Sequence, residues 1–253
     1  SEQRSNISYG RLAKGDWAWF SSPSPGSING GKTIRGLLSP PQFSAKRGIY
    51  NAQFRLHLST EEPDAVIRYT TDYSEPTQTN GRVYTEPLSV RRTMVVRAAV
   101  FKEGMLPSRV ETHTYAYNLG NSATSLPMLS LVTEKSNLWG RTGIMETNPR
   151  NTTKRGIAWE RPVSMELIYP NTGETLHANA GLRVQGGNYI RGRYNPNSGP
   201  PAGKYSFRLY FRGDYGPGRL RYPFFPGLQV QDFNHIVLRA GMNDHTNPFI
   251  IDE

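Results

Sequence analysis

The most regular alternation of apolar and polar positions lies between Val66 and Phe101. Ile67 and Tyr69 alternate with Arg68 and Thr70, which predicts a strand with one buried face. A polar turn follows, Thr71-Asp72-Tyr73-Ser74-Glu75-Pro76, and then a loop to Gly81. Val83 and Tyr84 form a short apolar segment that ends at Pro87, and Met94 to Phe101 reads as a second strand. Upstream, Phe54, Leu56 and Leu58 alternate with Gln53, Arg55 and His57. Downstream, Val110, Thr112 and Thr114 open a last strand. β-Branched and aromatic residues between Pro, Gly, Asn and Asp punctuation mark antiparallel strands. Residues 40–117 are therefore expected to form an autonomous antiparallel β-sandwich with Phe54, Leu56, Ile67, Tyr69 and Val96 inside.

The remaining chain repeats the pattern less densely. Trp17, Trp19 and Phe20 form a short apolar strand before the Pro- and Gly-rich run that leads to residue 39. Residues 118–126, NLGNSATSL, have linker composition. Beyond them, Leu126–Val132, Val163–Tyr169, Ala180–Val184 and His235–Arg239 read as strands, with an irregular stretch from Ser136 to about Gly156. Lys204–Phe211 is the clearest: Tyr205, Phe207, Leu209 and Phe211 share one face, and Lys204, Ser206, Arg208 and Tyr210 share the other. The expected fold class is mainly β throughout.

Composition agrees. Of 253 residues, 25 are Gly and 19 are Pro, and 36% are hydrophobic, which fits many short strands joined by turns. The absence of cysteine excludes disulfide frameworks, thiolate zinc sites and thiol nucleophiles. No apolar run approaches the roughly 18–20 residues of a membrane-spanning helix, and SEQRSNISYG has no signal-peptide core. The formal charge of +10 favours acidic partners, or serves solubility alone. The arginines are scattered along strands with no Lys/Arg run, so sequence-specific nucleic-acid binding is not expected.

Three stretches resemble known families. IRYTTD-x-SEPT, VYTEPL and VVRAAVFKEG-x-x-PS resemble the Ig-like module at the C-terminus of chitobiases and β-hexosaminidases, over roughly residues 40–117. The usual pattern has Gly where this chain has Tyr73, so either the turn needs no positive φ or Tyr73 bears some strain. WAWF-x-x-PSPGSINGG, within residues 1–39, resembles the closing strand and tail of a lamin-tail-type sandwich. Residues 127–253 resemble the N-terminal part of CotH-type spore-coat kinases, through LPMLSLVTEKSNLW, WERPVSMEL, GLRVQGGNY, KYSFRLYFRGDYGPGRLRYPFF and VLRAGMNDHTNPFIIDE. That resemblance implies a β-rich front lobe of a kinase-like domain, with the family's catalytic aspartates further downstream. Asn247-Pro248 opens a helix at the end of the sequence, as expected of a partial domain.

Kinase-like phosphoryl transfer requires a glycine loop over phosphates, a strand lysine, a helix glutamate and metal-binding aspartates. By resemblance, Gly186 and Gly187 supply the loop, Lys204 the lysine and Glu253 the glutamate; the plain alternative is a hairpin with a flexible loop and solvated charges. Arg183, Arg191 and Arg193 bring positive charge around that loop and form a candidate polyanion site. Without the aspartates the chain is expected to be inactive alone. No bound cofactor or metal is expected, and ATP with magnesium or manganese is implied only for the full domain.

Other signals are decoys. Gly26 to Thr33 matches G-x-x-x-x-G-K-[ST] literally, but Pro23 and Pro25 precede it and no helix fits before Pro40, so Lys32 belongs to a linker. Glu61, Glu62, Asp64, Asp72 and Glu75 fall on separate turns rather than in a calcium cage. Tyr69, Tyr73 and Tyr84 form either a sugar-stacking platform or ordinary strand packing. The five histidines have no metal-ligand spacing. The resulting expectation is a piece of an extracellular or cell-surface, multi-module CotH-like protein, partnered by the rest of its own chain, by other subunits or by an anionic glycan. The alternative is a structural or adhesive surface protein whose β-modules bind glycan or a partner protein.

Overall fold

The computed structural model describes residues 7–12, 14–29, 33–120, 125–186, 205–216, 218–225, 227 and 229–239. Contacts divide the chain into two units, one of Ser1–Glu134 with Ser164–His177 and one of Lys135–Val163 with Ala178–Glu253.

Unit 1 begins with a three-stranded antiparallel sheet, β1 (Ser8–Arg11), β2 (Trp17–Phe20) and β3 (Thr33–Ile34), in which Phe20 is buried. The Ig-like part follows: β4 (Gln42–Phe43), β5 (Gly48–Tyr50), β6 (Phe54–Leu56), β7 (Leu58–Ser59), β8 (Val66–Thr70), β9 (Arg82–Val83), β10 (Leu88–Val90), β11 (Met94–Phe101) and β12 (Glu111–Tyr117). One layer is a five-stranded sheet of order β5-β12-β11-β8-β9; β10 pairs with β6, and β4 with β7. Every residue of β11 from Val95 onward is buried, because β8 and β12 flank it and side chains cover both its faces. Leu56, Ile67, Val96, Val100 and Tyr115 lie in one core cluster, and burying each of the four aliphatic side chains among them contributes about 1.5–3 kcal/mol.

Leu56, Ile67 and Val96 are inside as expected, whereas Phe54 and Tyr69 are half-buried and pack against the cluster from its margin. The all-antiparallel expectation fails at β5, which pairs parallel with β12 through Tyr115↔Gly48 and Tyr117↔Tyr50. These strands are far apart in sequence, so no tight turn dictates their relative direction. Tyr73 has φ +70, so the turn does place a side chain in the left-handed region. Its neighbours hold the turn: Asp72 Oδ1 accepts from Ser74 N at 3.1 Å, Thr70 Oγ1 donates to Ser74 O at 2.6 Å, and Arg97 Nη1 donates to Tyr73 O at 2.8 Å. Also within unit 1, β13 (Met128–Val132) pairs antiparallel with the Ser164–Ile168 part of β14 (Arg161–Ile168).

Unit 2 opens with a single helical turn, α1 (Lys135–Leu138), and an irregular stretch pinned from within. There buried Asn151 donates through Nδ2 to Arg141 O and Gly143 O, both at 2.9 Å, and the Glu146 carboxylate accepts from the amides of Gly140, Thr147 and Asn148. The next strand, β15 (Thr175–Gln185), starts earlier than the alternation from Ala180 predicts, and its Ala178–Gln185 part lies in unit 2. It pairs antiparallel with β16 (Ser206–Tyr210). A small hairpin, β17 (Leu220–Arg221) with β18 (Asp232–Phe233), precedes β19 (His235–Leu238), which adds antiparallel to β16. Leu182, Val184 and Leu209 are buried on one face of this sheet. No helix among the described residues is long and apolar enough to cross a membrane.

Candidate functional site

The second face of the unit 2 sheet is polar. Period-two geometry puts Arg183 of β15 with Arg208 and Tyr210 of β16 and His235 of β19 on this face, opposite Leu182 and Leu209. In the ladder Arg183 stands directly across from Arg208, and Tyr210 across from both Gly181 and His235. Three guanidinium groups surround one phenol: those of Arg183, Arg212 and Arg208 lie 5.0, 5.1 and 6.0 Å from the Tyr210 ring centroid. Arg183 Nη2 also donates to Tyr210 Oη. Flat guanidinium groups stack on an aromatic face, which lets several sit close together.

Only one of these cations has a carboxylate among the described residues. Arg212 forms a bidentate pair with buried Glu160, Nε to Oε2 and Nη2 to Oε1, both at 2.9 Å. Tyr215 Oη donates to Glu160 Oε2 at 3.3 Å, and burial together with the Glu160 charge pushes Tyr215 up to about 12. Glycine at position 181 is required here, since a Cβ would meet Tyr215 Cε2 at 2.5 Å and Glu160 Oε2 at 2.9 Å. By contrast, Arg183 and Arg208 each keep a buried Nε without a hydrogen-bond partner. Beside them a cavity of about 510 Å³ is lined by Tyr210, Arg212, Asp214, Asn234 and His235.

Of the residues singled out from sequence, Arg183 is therefore on this face, and Gly186 comes just after the end of β15 with φ +78. Gly187, Arg191, Arg193, Lys204 and Glu253 lie outside the described residues, as does Lys32 of the phosphate-loop lookalike. That lookalike runs into strand β3 rather than into a helix. The acidic residues go to separate partners: Glu61 to Gln42, Glu62 to Lys102, Asp72 to Ser74 and Glu75 to Arg97. No group of three His, Asp or Glu side chains placed to hold a metal occurs among the described residues. Tyr69 and Tyr84 meet edge-to-face at 6.4 Å against the core, whereas Tyr73 is exposed, so the three form no common platform.

A second assembly, in unit 1, escaped the sequence reading. Glu166 of β14 is completely buried. Its Oε1 accepts from Thr114 N at 3.1 Å and faces Arg47 Nε at 3.1 Å, and its Oε2 accepts from Thr114 Oγ1. Burial raises Glu166 above the ordinary glutamate value, against the opposing pull of Thr114 and Arg47. Arg47 also reaches Glu111, whose Oε1 lies 3.3 Å from His113 Nε2 and 3.8 Å from His177 Nδ1. His177 Nε2 is 2.9 Å from Ser164 Oγ.

Serine, histidine and carboxylate thus occur in the order of a nucleophilic relay. Two features argue against that chemistry. Ser164 is 2% exposed in mid-strand, beyond the reach of an acyl substrate, and 3.8 Å is too long for the orienting hydrogen bond. The network is a packing device.

Residues 45–112 match the chitobiase/beta-hexosaminidase C-terminal domain, which spans β5 to the first residues of β12. No curated protein matches the chain. The protein thus contains an Ig-like module of that type within a mainly β chain.

Proposed function

We propose that the chain is part of an extracellular, multi-module CotH-like protein. In this reading the Ig-like module is an accessory unit, the N-terminal strands are the closing part of a lamin-tail-like module, and unit 2 belongs to the phosphate-facing lobe of an atypical kinase-like domain. The observation that carries the phosphate-facing role is the cross-strand pair Arg183↔Arg208. Like charges directly opposed in a ladder cost a few tenths of a kcal/mol to about 1 kcal/mol. The two orphaned, buried Nε donors add a further cost, and an anion such as a phosphoryl group, drawn to the two guanidinium charges, relieves their repulsion. Phosphoryl transfer itself is assigned to the full domain, because it needs metal-binding aspartates and a positioned base, which the resemblance places further downstream, whereas cationic attraction alone only draws phosphate.

Calorimetric titration of the 253-residue chain with ATP and with inorganic pyrophosphate, at low and high salt, tests the proposal. Binding of both that fades with salt is expected, together with a loss of about tenfold or more in Arg183→Ala/Arg208→Ala. Binding untouched by the double substitution, or no binding, overturns it. A second role, glycan binding through the β-modules, is favoured by a separate cavity on unit 1.

A further inference from the structure

We infer that this unit 1 cavity is a binding site for a neutral saccharide of one or two pyranose rings. The inference rests on the glycan-binding role of the β-modules and is independent of the Arg183–Arg208 face. The cavity encloses about 590 Å³, within the size class of small-ligand pockets. Its apolar lining comes from Ile34, Val66, Phe101, Met105 and Leu106. Val66, 40% exposed on strand β8, presents apolar surface to the opening.

The walls are built by backbone. Arg35 N donates to Gly104 O at 2.9 Å, Leu106 N to Gly36 O at 2.9 Å and Leu38 N to Leu106 O at 3.0 Å. This strip seats the segment after β3 against the turn after β11. Arg35 closes over the turn, its Nη2 donating to Glu103 O at 3.1 Å, and Gly104 takes φ +75 where a Cβ would meet Arg35 Nη2 at 2.8 Å. The cavity is therefore in place before any ligand arrives.

The polar lining selects the chemistry. Ser21, Thr33, Asp64, Gln78 and Glu103 contribute to the cavity, and their side chains make no hydrogen bond to another described residue. The two cations are already engaged, Arg68 Nη1 with Gly81 O at 3.0 Å and Lys102 Nζ with Glu62 Oε1 at 2.6 Å. Free carboxylates accept and do not donate, so they call for a ligand rich in O–H or N–H donors. Glu62 neutralises Lys102, whereas Arg68 keeps its charge because its partner is a neutral carbonyl, so the carboxylates of Asp64 and Glu103 outnumber one remaining cation and disfavour an anion. Apolar surface next to acceptors matches a pyranose, with its C–H face and equatorial hydroxyls. Asp64, at φ +57, is a non-glycine residue held in the left-handed region at the site.

Titration of the intact chain with N,N′-diacetylchitobiose, cellobiose and maltose, with glucuronate as the anionic comparison, decides the matter by calorimetry and by chemical shifts. At least one neutral disaccharide is expected to bind, and more tightly than glucuronate. Asp64→Gly, which removes the carboxylate at a backbone angle glycine accepts, and Val66→Glu, which places a charge on the apolar lining, are each expected to weaken that binding about tenfold. Thermal melts of both variants establish that they fold. Arg183→Ala is expected to leave sugar binding unchanged, which separates this site from the phosphate-facing one. Tighter glucuronate binding, no neutral binding, or binding unchanged in both cavity variants overturns the inference.

Discussion

Arg47 Nε lies 3.1 Å from Glu166 Oε1, and both side chains are withdrawn from solvent. The pair joins the strand region opening the Ig-like module to β14, in a part of the chain read from sequence as a different domain. Glu166 also satisfies the amide and hydroxyl of Thr114 on β12, so one carboxylate holds strand β12 as well as Arg47, the residue just before β5. Hydrogen bonds around a buried ion pair are what offset its desolvation.

Removing one partner should be costly. Glu166→Ala leaves the Thr114 amide unpaired and Arg47 dependent on Glu111 alone, and about 3 kcal/mol of destabilisation is expected. Urea denaturation followed by tryptophan fluorescence measures it. The double variant Arg47→Met/Glu166→Met, which removes both charges, should recover part of the loss. A single variant as stable as the parent would show that the pair contributes nothing net.

Glu166 also carries a pH signature. Its folded-state value is raised by burial above the ordinary 4.5. A raised value means that the folded state holds the proton more tightly than the unfolded chain. This contribution to stability is therefore fully present below the ordinary value and is lost as pH rises through the folded value. Melting temperatures of the parent and of Glu166→Gln, compared from acid to neutral pH, should show the parent losing ground to the variant as pH rises. The opposite slope would place the folded value below the ordinary one.

Tyr73 offers a stabilising change. Its φ of +70 costs a residue with a Cβ, while its ring, 53% exposed, gains little from packing. Tyr73→Gly should raise stability by about 1 kcal/mol, reduced in part by the greater freedom of glycine in the unfolded chain. The bond from Arg97 reaches the backbone oxygen and survives the substitution. A lower melting temperature for the glycine variant would mean that the ring contributes packing that its exposure conceals.

The period-two pattern of Ser206–Tyr210 is a local property, and it was legible: Leu209 faces the core, and Arg208 with Tyr210 faces away. That Arg183 meets Arg208 was not. The intervening residues 187–204 have no short-turn signature, and without one register is undetermined by neighbouring residues. Tyr73 shows the same division. Its turn was visible in Thr71 to Pro76, but the sign of its φ depends on how Arg97 and Ser74 hold the backbone.

Taken by itself, the sequence determined the mainly β character and the core strands β8 and β11, because alternation and turn chemistry act over a few residues, and its motifs marked the Ig-like module by resemblance. Tertiary structure alone decided the parallel partner of β5, the burial of Glu166 against Arg47 and Thr114, and the gathering of three arginines around Tyr210. In the alternation of Val163 to Tyr169, Glu166 reads as a solvent-facing position. It is buried because another part of the chain covers that face, and which part does so is set by long-range packing rather than by neighbours in sequence.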